Sequence, residues 1–97
     1  ETEAELAAKE LADRYLNILV RERAANDRSP EPRYYEFLPL LKEVTEDKPT
    51  ADRFLDALEE QIPDLDWAYA IEDARRDLAR NVSVSYAMKW LTIKLIS

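Results

Sequence analysis

The feature that most constrains this chain is that none of its 97 residues is glycine. Average usage would place about seven in a chain of this length. Phosphate-cradling loops, dinucleotide fingerprints and the sharp turn of an EF-hand all need glycine, so none of them is present. Helices too normally end on glycine, which alone enters the left-handed region without a Cβ penalty. Histidine and cysteine are also absent. Their absence removes the commonest general base and metal ligand, along with disulfides, thiolate nucleophiles and cysteine-based zinc sites. A chain that must close several helices without glycine, and that lacks His and Cys as well, reads as composed under rules. The expectation is a synthetic helical domain, designed or redesigned.

Apolar residues make up 46% and charged residues 36%. That is enough to build a core and too much for a disordered tail, and the length suits one all-helical domain over 1–97. No apolar run approaches the roughly 18 residues of a membrane span, and no basic-then-apolar signal peptide opens the chain, so a soluble protein is expected. Proline marks the joints: Pro30 and Pro32, Pro49 and Pro63 each stand where an apolar period breaks. The spacing predicts an all-α bundle of five helices, mainly antiparallel, at roughly 3–25, 33–46, 49–62, 64–81 and 84–96.

The first helix gathers Ala4, Ala8, Leu11, Tyr15, Ile18 and Leu19 on one face, leaving Leu6, Leu16 and Val20 off it. The third collects Phe54, Leu55, Leu58 and Ile62. The fourth stacks Trp67, Ile71, Ala74, Leu78 and Val82, with Asp64 or Asp66 as its N-terminal cap. In the second, Tyr34, Phe37, Leu38, Leu41 and Val44 keep a helical period, but Pro39 falls among them. Proline deletes a backbone donor and crowds the carbonyl four residues back, so the helix is expected to start late, with Pro39 in its first turn. The fifth helix, capped by Ser83 or Ser85, is apolar on two opposed sides: Val84, Met88, Leu91 and Leu95 on one, Tyr86, Trp90 and Ile93 on the other. Such a helix either runs through the middle of the bundle or meets another molecule, a second copy included, through one side.

Charge excludes further classes. The net charge is −7, distributed as −3 over residues 1–45, −7 over 46–77 and +3 over 78–97, where Arg80, Lys89 and Lys94 stand without an acid. An acidic whole is unsuited to nonspecific nucleic-acid binding or to anionic membranes. The doublets Glu59-Glu60 and Glu72-Asp73 point to polar helix sides and read as solvated. A helical di-metal site of the Glu-x-x-His kind cannot be built without His, and Ser29, Ser83, Ser85 and Ser97 have no base to activate them. No catalysis, cofactor, metal or small-molecule substrate is expected.

Two local patterns invite comparison. Leu78-Ala79-Arg80-Asn81-Val82-Ser83-Val84-Ser85 resembles the first helix and turn of a helix-turn-helix, in which the alanine faces the second helix, with DNA binding through 78–91 as the implied function. Over residues 11–65 the chain resembles a paired amphipathic helix domain, the module by which corepressor scaffolds grip partners. The shared motifs are Tyr15-Leu16, then Tyr34-Tyr35-Glu36-Phe37-Leu38 leading to Leu40-Leu41-Lys42-Glu43, then Phe54, Leu55 and Leu58 ahead of Pro63-Asp64-Leu65. Residues 37–78 are similar to a harmonin-homology domain. Pro39 and the fifth helix depart from the paired-helix pattern. The resemblance implies a groove between the first two helices that takes an amphipathic helix. Leu16, Leu19, Val20, Phe37 and Leu41 would line it, although all five also read as core residues, Leu16 and Val20 the least so. The leading expectation is a synthetic bundle that presents or binds a helical protein surface, and the alternative is a natural interaction module of these kinds.

Overall fold

Each long helix begins on a side chain that accepts a backbone N–H left over at the helix start. In the computed structural model, which describes residues 2–25, 29–62 and 64–97, the segments are α1 (Glu3–Ala24), α2 (Pro30–Tyr34), a 3-10 turn (Tyr35–Phe37), α3 (Leu38–Val44), α4 (Lys48–Gln61), α5 (Leu65–Ala79) and α6 (Val84–Ile96). Thr2 caps α1 in a capping box with Glu5. Asp47 accepts from the Thr50 N–H at 2.8 Å, Asp64 from the Asp66 N–H at 2.8 Å, and Ser83 from the Tyr86 N–H at 3.2 Å. The Asp47 carboxyl is held below its ordinary range by its hydrogen bonds from Thr50. The joint expected at Pro63 lies outside the described residues.

Four helix ends are closed without glycine, by three kinds of device. Asn81 takes the left-handed conformation (φ 63°). The Val82 N–H then reaches the Asp77 carbonyl at 3.0 Å and the Asn81 N–H the Leu78 carbonyl at 3.2 Å, a Schellman closure of α5. The Thr45 hydroxyl donates to the Leu41 carbonyl at 2.6 Å at the end of α3. Arg33 reaches the Glu22 carbonyl in the last turn of α1, and Arg23 the Leu95 carbonyl in that of α6. Because asparagine still bears a Cβ at a left-handed position, Asn81→Gly is expected to raise stability by about 0.5–1 kcal/mol. Thermal melts check this, and a lower midpoint would contradict it.

The second predicted helix is built differently from the expectation of a late start. Pro39 does lie in the first turn of α3, but the chain ahead is already helical from Pro30, with Pro30 and Pro32 in the first turn of α2. Continuity across Pro39 is broken by the 3-10 turn, which lets the Leu38 N–H take the Tyr35 carbonyl that proline's missing donor would have left open. The other boundaries move by at most two residues.

The core centres on Tyr15. Its ring lies 5.0 Å from that of Phe37 and 5.2 Å from that of Phe54, the latter edge-on. Around it are buried Ala8, Leu11 and Leu19 of α1, Leu40, Leu41 and Val44 of α3, Phe54, Leu55 and Leu58 of α4, and Ile71, Ala74 and Leu78 of α5. Ala4, expected on the inner face of α1, is exposed in its first turns. The most extensive helix contact is α1 on α4, followed by α5 on α6. The α2–α3 arm runs back along α1, since Arg33 meets Glu22, Phe37 meets Tyr15 and Glu43 meets Arg14. The Cα radius of gyration, 12.5 Å, matches a compact globule of this length. Among the described residues there is no strand, so the chain is all-α as its periodicity indicates.

Candidate interaction face

Helix α6 lies against the bundle rather than through it. Met88, Leu91 and Leu95 are buried, together with Ala87, Thr92 and Ile96, and Val84 packs at the edge. Helices α5 and α2 flank it. The opposite stripe stays open: Tyr86 is 55% exposed, Trp90 39% exposed and Ile93 half-buried. The Tyr86 and Trp90 rings meet edge-to-face, with centroids 6.1 Å apart and planes at 65°.

Lysines stand on both flanks of this stripe. Lys89 Nζ lies 5.8 Å from the Tyr34 ring centroid, and Lys94 Nζ lies 3.4 Å from Asp73. Burial, then the nearby Glu31 and Tyr35, push the Tyr34 phenol above its ordinary value. The Asp73 carboxyl is held below its ordinary range by the hydrogen bond from Arg76, with Lys94 adding to it. Among the described residues, neither Lys89 nor Arg80 stands within ion-pair distance of a carboxylate.

The other sequence candidates fall elsewhere. Leu19, Phe37 and Leu41 are inside the core, where they hold α1 to the α2–α3 arm. Of the five residues of the implied groove, only half-buried Leu16 and Val20, 65% exposed, present surface. In the helix-turn-helix comparison Ala79 would face the second helix, yet it is exposed, because Leu78 and Val82 take the inward positions beside the Asn81 closure.

The acidic doublets stay solvated as expected, with Glu60 and Glu72 exposed and Glu59 and Asp73 partly so, and some of them also pair with cations. Arg75 of α5 draws Asp56 (2.7 Å), Glu59 (3.2 Å) and Glu72 (3.2 Å) together and so ties α5 to α4. A cleft of about 370 Å³ opens where the ends of α1, α5 and α6 meet, and it includes Arg23, Trp67, Tyr69, Asp73 and Lys94. Its cations are engaged: Arg23 lies 5.3 Å from the Trp67 ring centroid while donating to Leu95, and Lys94 pairs with Asp73. Sequence reasoning missed both cation–π pairs, which join residues far apart in the chain and follow no period. No protein-family model, curated protein or solved structure matches the chain.

Proposed function

We propose that this chain is a non-catalytic helical scaffold of synthetic composition that presents the outer stripe of α6 to another protein. The observation that carries this reading is the exposed Tyr86–Trp90 pair, continued by Ile93 along one helix face. Single exposed apolar residues are ordinary, but a contiguous aromatic stripe is a solubility liability unless something covers it. Tyrosine and tryptophan are also the side chains in which interface binding energy concentrates. The synthetic reading is supported by the closure of α1, α3, α5 and α6 without glycine. The non-catalytic one is supported by the engagement of the polar groups, with Asp47 and Asp64 spent on caps and Asp56, Glu59 and Glu72 spent on Arg75.

The test separates docking from folding. Trp90→Asp is expected to change unfolding free energy by less than about 0.5 kcal/mol, as for a surface substitution. The same variant should lose the response of the α6 backbone amide resonances to amphipathic helical peptides, which the unaltered chain should show there and at the Trp90 indole. A stability loss above about 2 kcal/mol would place the ring in the core and end the proposal.

A further inference from the structure

The charge around the α6 stripe identifies what would cover it, granted the docking reading above. Residues 78–97 carry Arg80, Lys89 and Lys94 and no acid, whereas the rest of the chain sums to −10. At about 100° per residue, Lys89 and Lys94 fall on opposite flanks of the Tyr86–Trp90–Ile93 stripe. Arg80, the C-cap of α5, stands just ahead of the α6 N-cap Ser83. Arg80 and Lys89 lack a carboxylate among the described residues, Lys89 lying near the Tyr34 ring, and Lys94 pairs with Asp73 while keeping about half of its side chain exposed to a second carboxylate. We propose that this face takes an acidic amphipathic helix of a partner protein. Its apolar edge would lie on Tyr86, Trp90 and Ile93, and its carboxylates would face Lys89, Lys94 and Arg80.

The anchors are spaced i, i+4, i+7 along one helix, the pattern that packs against another helix. Like charge argues against a second copy of this chain, because two α6 faces in isologous contact would oppose their cations. Seating α6 on the acidic 46–77 region of a second copy would give a dimer or a ring, which light scattering detects. Three cations beside so acidic a remainder are also too few for a nucleic-acid backbone.

The experiment titrates the full-length, ¹⁵N-labelled chain with two synthetic helical peptides of about six turns. Both carry the same leucine stripe, one flanked by glutamates and the other by lysines. The glutamate peptide is expected to shift the Trp90 indole N–H resonance and leave that of Trp67 in place. Its Kd should weaken at least about tenfold in about 0.5 M salt, and by a similar factor in the Lys89→Glu/Lys94→Glu variant. Should that variant unfold, the salt dependence still decides. Equal or tighter binding of the lysine peptide, or a Kd indifferent to salt, overturns the acidic partner but leaves the docking face standing. Silence of Trp90 toward both peptides overturns both. Light scattering that shows a dimer, or a Trp90 shift with a mixed-sequence DNA duplex, overturns the proposal in favour of a second copy or of nucleic acid.

Discussion

Tyr15→Ala is expected to destabilise the fold by about 3–5 kcal/mol, a large part of the 5–15 kcal/mol that holds a domain of this size together. The ring is fully buried between Phe37 and Phe54, so truncation leaves a cavity that three elements cannot close. The phenol contributes separately. Its oxygen lies 2.9 Å from Thr92 Oγ1, and the Thr92 hydroxyl lies 2.8 Å from the Met88 carbonyl. A carbonyl only accepts, so Thr92 gives its proton to Met88 and Tyr15 must donate to Thr92. Thr92→Val therefore strands a buried donor and is expected to cost about 1–3 kcal/mol, whereas Tyr15→Phe costs about 1 kcal/mol. The double variant should fall well short of the sum, a coupling that urea denaturation of the four proteins measures. Burial pushes the Tyr15 phenol far above its ordinary value of 10.0. The neutral form is thus the one the fold holds, and its contribution is complete below about pH 10 and lost as pH rises beyond. Tyr15→Phe should flatten that alkaline loss by up to about 1.4 kcal/mol per pH unit.

What could be read from the sequence is what depends on neighbours along the chain. The buried sets Phe54, Leu55, Leu58 and Ile71, Ala74, Leu78 follow from helical spacing, and Asp64 and Ser83 cap where a polar residue precedes an apolar period. The second helix was only half legible. The effect of Pro39 on its own helix is local, but the apolar period of Tyr34, Phe37 and Leu41 does not mark the earlier helix from Pro30 or the 3-10 turn that joins the two. Arg33 looks like a surface residue until the end of α1 is folded over it. For α6, the two apolar stripes are evident and their assignment is not, because Tyr86, Trp90 and Ile93 keep a helical spacing just as Val84, Met88 and Leu91 do. The residues between the stripes held the signal. Ala87 and Thr92 border the covered side and allow close approach, while Lys89 and Lys94 border the open one.

Arg33→Leu is expected to cost about 1.5–3 kcal/mol, the worth of hydrogen bonds from a charged donor in a site closed to water. Arg33 is 7% exposed. Its Nη1 donates to the Glu22 carbonyl at 3.2 Å and its Nε to the Ser29 carbonyl at 3.3 Å. One guanidinium thus holds the last turn of α1 to the first turn of α2, and its charge also suits the negative end of the α1 dipole. A lysine has a single charged tip in place of the planar fork, so Arg33→Lys should recover only part of the loss. The damage should be local. Amide exchange is expected to accelerate at the end of α1 and in α2, with little change in α4 and α5, where no bond to Arg33 exists. A buried cation also carries a desolvation cost, and leucine would relieve it. An unchanged or higher unfolding midpoint in Arg33→Leu would mean that this cost equals or exceeds the two bonds, and the arm would then be held to α1 by its other contacts, the packing of Phe37 on Tyr15 foremost.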